Sequence, residues 1–295
     1  LDYLATDPAT RAILLYIESI ESPRKFMSAA RAAARNKPVI VIKSGRSAQG
    51  QRAAASHTGA LAGSDAVYDA AIARAGMLRV NSLQELFLAA ETLARFRTNQ
   101  GTALTVLTNG GGAGVMAADA AAQVHVPLAR LGTSTVAQLD AVLPTNWSRG
   151  NPVDIIGDAP VQRYVDALQI LFRDPAASAV LMIHAPTAIV PSAEIAQALA
   201  ALPQGAQERL MGCWMGGHGV EQARQIFKQA GIADYPTPEE AVRAFSMLVS
   251  YHRNQAELIE APPMLGVGGQ APAAPDLAAV QAIVREALSG GREML

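Results

Sequence analysis

The sequence has one cysteine, Cys213, in 295 residues. That excludes an intrachain disulfide and a cysteine-built metal site. So sparing a use of thiols points to a reducing, cytoplasmic setting. The chain also lacks a surplus of either charge: 24 Lys and Arg stand against 25 Asp and Glu, and the formal net charge is -1. It holds no dense Lys/Arg run. A nucleic acid or a membrane surface is therefore not expected as a partner. No apolar run reaches the roughly 20 residues needed to span a bilayer. Leu1-Asp2-Tyr3-Leu4 has neither the basic nor the apolar region of a signal peptide. No His/Asp/Glu group has metal-ligand spacing, so no protein-bound metal is predicted. Half of the residues are hydrophobic, 17% are charged and the mean hydropathy is +0.16. That is enough apolar material for real cores and excludes a disordered chain. The length fits two domains better than one. There is no initiator Met, so the chain is expected to begin inside a longer protein.

Short β-branched runs alternate with Ala-rich amphipathic runs. Residues 12–17 and 38–42 read as apolar strands, and Pro23 to Asn36 between them as a helix, capped by Ser22 with Pro23 in its first turn. Continuous apolar strands separated by helices define an α/β fold with parallel sheets covered on both faces. A polar, small-residue loop is expected from Ser44 to Gly63, then a helix from Ser64 to Gly76, a strand at 78–80 and a helix from Ser82 to Phe96. The turn-like Thr98-Asn99-Gln100-Gly101 suggests a boundary, giving a first domain of 1–98 and a second of 99–258. In the second, strands are expected at 103–107, 179–183 and 210–214. Helices are expected up to Gln123 and at 135–142, 161–172, 192–202, 220–231 and 238–258, the last capped by Thr237. The Pro/Gly/Ala-rich stretch from Glu260 to Pro275 reads as a linker. A helix from Asp276 to Leu288 follows it, so 259–295 reads as a linker and the first helix of a further domain.

Three features could carry chemistry. The first is Ser56-His57-Thr58-Gly59, in the loop that leaves the second strand at Lys43-Ser44-Gly45-Arg46. Ligands of open α/β sheets gather at these carboxyl ends. A His57 imidazole near Lys43, Arg46 and glycine-exposed N–H groups suits a nucleophile that must hold a phosphoryl group. A histidine that only bonds its own loop fits the same spacing. The second is Glu18, at the end of the first strand. Its carboxylate could fix the tautomer of an imidazole, or could simply be an exposed strand-end charge. The third is the run Gly110, Gly111, Gly112, Ala113 and Gly114 between a strand and a helix. It places an anion or phosphate near a helix start, but lacks the Lys-Ser/Thr of a P-loop and the spacing of a dinucleotide fingerprint. His218, in Gly216-Gly217-His218-Gly219, reads mainly as a turn residue. His184 could line the same crevice, and His125 and His252 read as exposed.

Together, Lys43-Ser44-Gly45-Arg46-Ser47, Ser56 to Asp65, Asn109 to Gly114 and Asn151-Pro152-Val153-Asp154 make nearly the whole chain resemble the NDP-forming acyl-CoA synthetases, relatives of succinyl-CoA synthetase. The resemblance implies two flavodoxin-like, succinyl-CoA-synthetase-type domains and an acyl phosphate intermediate. It makes His57 the phosphohistidine and Glu18 its hydrogen-bonding glutamate. The helix at Gly110–Gly114 becomes one of two whose N-termini face the phosphoryl group. It also implies small-molecule acyl substrates, with CoA, ATP/ADP and Mg²⁺ used by a parent enzyme. Their sites are expected mainly outside this chain, in a CoA-binding domain and an ATP-grasp domain. The first strand and phosphate-facing helix of the His57 domain are expected to precede Leu1, the parent to form a homo-oligomer, and the fragment alone to be inactive. The stretch from Ile183-His184-Ala185-Pro186 through Tyr251-His252-Arg253-Asn254-Gln255 also resembles bacterial protein lysine acetyltransferases. There a synthetase-like region serves acyl-CoA-sensing regulation.

Overall fold

Every described strand is short and parallel to its neighbours, and the helices between them return the chain across the sheet faces. The computed structural model describes residues 1–58, 64–96, 101–260 and 276–290, with side chains left out over 54–58. α1 (Asp2–Thr6) leads into β1 (Ile13–Ile17), α2 (Pro23–Asn36), β2 (Val39–Lys43) and α3 (Ala48–Thr58). α4 (Asp65–Arg74), β3 (Leu78–Val80) and α5 (Leu83–Arg95) follow. Next come β4 (Leu104–Thr108), α6 (Gly111–Gln123), α7 (Thr133–Val142), β5 (Val153–Asp154), α8 (Val161–Leu171) and β6 (Ala179–His184). The rest is α9 (Ser192–Ala200), α10 (Gln204–Gln207), β7 (Leu210–Trp214), α11 (Glu221–Ala230), β8 (Ala233–Tyr235), α12 (Pro238–Ile259) and α13 (Leu277–Ser289). One sheet has the order β1-β2-β3 and the other β5-β4-β6-β7-β8.

The pleat sorts side chains between layers. In β2, Val39 and Val41 face the α2 alanines and Ile72, while Ile40 and Ile42 face the opposite way. In β6, Val180 and Met182 pack with the α8 and α9 side, and Leu181 and Ile183 pack with α6 and α12. This two-residue alternation is what strands buried on both faces require. One cluster joins Ile40, Leu78 and Val80 of the first sheet to Leu104, Val106 and Met211 of the second, through Leu93 of α5, Ala117 of α6 and Phe245 of α12. Residues 1–259 accordingly form one compact unit. Residues 260–295 form a second unit, whose described part is α13, begun by the Asp276 carboxylate accepting from Ala278 and Ala279 N–H.

Several local expectations change. The stretch from Ser44 to Gly63 is not loop throughout: Ala48–Thr58 is α3, because its alanine and glutamine content favours helix although its residues are small. Ser22 stands at the start of α2 without a side-chain cap bond, whereas Thr237 caps α12 by accepting from Glu240 N–H at 3.2 Å. His252 is half-buried, not exposed, because it lies on α12 where that helix packs on the core. No described helix is long and apolar enough to cross a membrane.

Candidate functional site

Three of the sequence features leave their sheets at strand carboxyl ends. Ile17 pairs with Lys43 at the last rung of β1 and β2, and Ser44 N–H donates to Ile17 C=O at 3.0 Å. Glu18 and the His57 segment therefore depart side by side. Glu18 is half-buried and lines a cleft of about 410 Å³ with Tyr16, Ile17 and Phe26. The backbone of His57 falls in the last turn of α3, and its side chain lies outside the described residues.

The base of this segment is tied by charge. Lys43 is only 3% exposed. Its ammonium donates to Ser44 C=O and stands 4.6 Å from the centre of the Tyr68 ring. Burial lowers its pKa, although Asp65 and Glu18 pull the other way. Arg46 donates to Asn81 and pairs with Asp65 at 3.5 Å, and Arg79 donates to Asp65 from beneath. Burial alone would raise the Asp65 carboxyl, but Arg79 and Arg46 hold it below the usual carboxylate range. So the segment is bracketed on both sides, at Arg46 and at Asp65, by one cluster of cations and carboxylates.

In the second sheet the chain leaves β4 through Asn109 into the glycine run. Gly110 caps α6, and Thr108 Oγ1 both accepts from Gly110 N–H and donates to Gly110 C=O, each at 3.0 Å. Gly111 and Gly112 are exposed, and the first N–H groups of a helix have no partner one turn earlier. A Cβ on Gly111 would stand 2.9 Å from Asp154 Oδ2, and one on Gly114 would press on Thr108 and Pro152. A Cβ on Gly112 would meet nothing within 4 Å, so open space faces this end of α6. Thus Gly110 to Gly114 do form a glycine-lined helix start.

Other histidines fall elsewhere. His184 does not line a crevice with His218. It is 1% exposed, against the Trp214 ring, with Tyr164 and Ser192 on its two nitrogens. Continuous apolar neighbours on both faces of β6 put it there. His218 is fully exposed and 3.3 Å from Glu221, and His125 is an exposed turn residue at φ 56. Among the described residues no group of three His, Cys, Asp or Glu could hold a metal ion. Sequence reasoning gave no role to Asp154 or to the Asn109 side chain, although both stand in motifs it quoted. The signal was a strand end on each side of the glycine run.

Two family models cover this arrangement: a succinyl-CoA ligase like flavodoxin domain over residues 1–93 and a Ligase-CoA domain over residues 104–259. The chain belongs to this succinyl-CoA-ligase-like, CoA-ligase family. It is 42% identical over 257 residues to acetate–CoA ligase [ADP-forming] I of Archaeoglobus fulgidus, a match covering 87% of this chain and 36% of that one. It is 36% identical to the alpha subunit of acetate–CoA ligase [ADP-forming] I of Pyrococcus furiosus, covering 87% and 56%. A solved dinucleotide forming acetyl-coenzyme A synthetase 1 of Ca. Korarchaeum cryptofilum, in complex with phosphate and ADP, superposes with TM-score 0.79 at 34% identity, covering 87% of this chain and 56% of that one. The chain thus spans roughly a third to just over half of the length of these relatives. These similarities favour the synthetase reading over the acetyltransferase-associated one.

Proposed function

We propose that this chain is the phosphohistidine-carrying part of an NDP-forming acyl-CoA synthetase. In that reaction phosphate displaces CoA from an acyl thioester. A His57 nitrogen then attacks the phosphorus of the acyl phosphate, forming an N–P bond as the bond to the acyl oxygen breaks and the carboxylate leaves. The phosphoryl group passes from His57 to ADP. Glu18 would hold the imidazole by accepting from its other nitrogen. The N–H groups at Gly111 and Gly112, with the helix dipole behind them, would bind the phosphoryl oxygens. The observation that carries this reading is a glycine-opened α6 in a chain that carries the sequence Ser56-His57-Thr58-Gly59 and is matched over most of its length by ADP-forming ligases.

CoA and nucleotide are read as bound mainly by other parts of the parent protein. Mg²⁺ is read as travelling with the nucleotide in those other parts. The division at 98/99 and 258/259 is our reading of the domain limits, and the scarcity of cysteine supports a cytoplasmic setting. The test is to incubate the full-length protein with labelled ATP and Mg²⁺. Wild type becomes labelled on histidine and His57→Ala does not. Equal labelling of the two would end the assignment.

A further inference from the structure

We propose that Asn109 is a positioning residue that sets the phosphate-facing end of α6 by clamping it to Ala185, the first residue beyond β6. The inference rests on the reading of α6 as a phosphate site. The β4–β6 ladder ends at the pair Thr108 and Ile183. One residue further on, the buried Asn109 carboxamide donates to Ala185 C=O and its oxygen accepts from Ala185 N–H, both at 2.8 Å. The side chain adds one more rung where the two backbones part. Asparagine alone fits: aspartate would set a second acceptor against the Ala185 carbonyl, and glutamine is one methylene too long.

The clamp holds the glycine run more than it holds the sheet. β4 and β6 are already joined by five register pairs. By contrast, Gly110 follows Asn109 directly and lies so near Ala185 that a Cβ on it would stand 3.2 Å from the Ala185 methyl. Gly157, in the loop after β5, comes up on the other side, with its Cβ position 3.6 Å from the Asn109 carbonyl. Three loops at the carboxyl ends of β4, β5 and β6 therefore meet at Asn109. Releasing the clamp lets the N–H groups of Gly111 and Gly112 shift relative to the walls of the crevice. Hydrogen bonds to an anion weaken steeply with misalignment.

The experiment is steady-state kinetics of the full-length protein in the direction that consumes acyl-CoA and phosphate. Asn109→Ser and Ala185→Pro each break the clamp from one side. Each should raise KM for phosphate by about tenfold, roughly the loss of one charge-assisted hydrogen bond, with KM for acyl-CoA unchanged. The double variant should be no worse than either single one. Incomplete folding lowers kcat but leaves KM readable. A phosphate KM unchanged in both variants, or rising together with that for acyl-CoA, overturns the inference. Gly112→Asp separates the two levels: it has room for its side chain and places a negative charge at the start of α6. If it leaves KM for phosphate unchanged, the phosphate reading of α6 falls and the inference with it. If it raises that KM while the clamp variants do not, the inference alone falls.

Discussion

The Tyr164 hydroxyl lies 2.9 Å from His184 Nδ1, and the other ring nitrogen lies 3.0 Å from Ser192 Oγ. Burial pushes the Tyr164 phenol up, so it stays protonated and can donate, and burial pulls the His184 imidazole down to about 4. The imidazole is therefore neutral in the folded protein and links α8, β6 and the start of α9. Between pH about 4 and the ordinary histidine value near 6.5, the unfolded chain binds a proton here that the folded chain does not. Stability is thus lost as pH falls through that window, by about 3 kcal/mol at most. Urea unfolding of wild type and His184→Gln at several pH values should show a smaller acid loss in the variant. Identical pH slopes would refute the assignment.

Tyr164→Phe should destabilise by about 1–3 kcal/mol, because it removes the hydroxyl partner of a buried ring nitrogen and leaves the packing intact. Thermal melts measure this. A variant as stable as wild type would show that the contact contributes nothing.

Gly212 lies under the Phe227 ring, and a Cβ there would come within 2.5 Å of it. Phe227 is fully buried and cannot swing away. Gly212→Ala should cost about 1–3 kcal/mol and lower the melting temperature, while histidine labelling in the cold persists. Loss of labelling in protein that remains folded would contradict this purely structural role.

Cys213 is fully buried, and burial pushes its thiol up to about 12. Native protein should leave it unmodified by a thiol reagent at neutral pH, with full modification in denaturant. Rapid modification in the native state would show the β7 region to be open.

Glu18→Gln should lower phosphohistidine formation by about tenfold, less than His57→Ala, since a partner that orients a reacting group is worth about ten- to a hundredfold. Labelling time courses decide it. An unchanged rate would return Glu18 to the status of a strand-end charge.

Much of the fold is legible in the residues. The apolar runs of β2, β4, β6 and β7 show their parallel, two-face burial directly, whereas the equally apolar β1 leaves Leu14 and Tyr16 exposed on one face. The bounds of α2 follow from Pro23 and from Pro38 just beyond it. β5 and β8 are not legible, because Val153-Asp154 and Ala233-Asp234-Tyr235 set a carboxylate inside a run too short to show a period. α3 was hidden because alanine, serine and glycine read alike as small loop residues.

For the candidate site, the sequence by itself determined the chemistry-bearing types: a histidine after a glycine-marked strand end, a glutamate at the neighbouring strand end and a glycine run before a helix. These are local patterns, fixed by which residue must stand at a turn or a helix start. Only the tertiary structure decided that α5, α6 and α12 serve both sheets in one core, that His184 is sealed among aromatic rings, and that Asn109 reaches Ala185. Asn109 and Ala185 stand 76 positions apart in the chain. Such partners are chosen by the packing of whole layers, which no local period records.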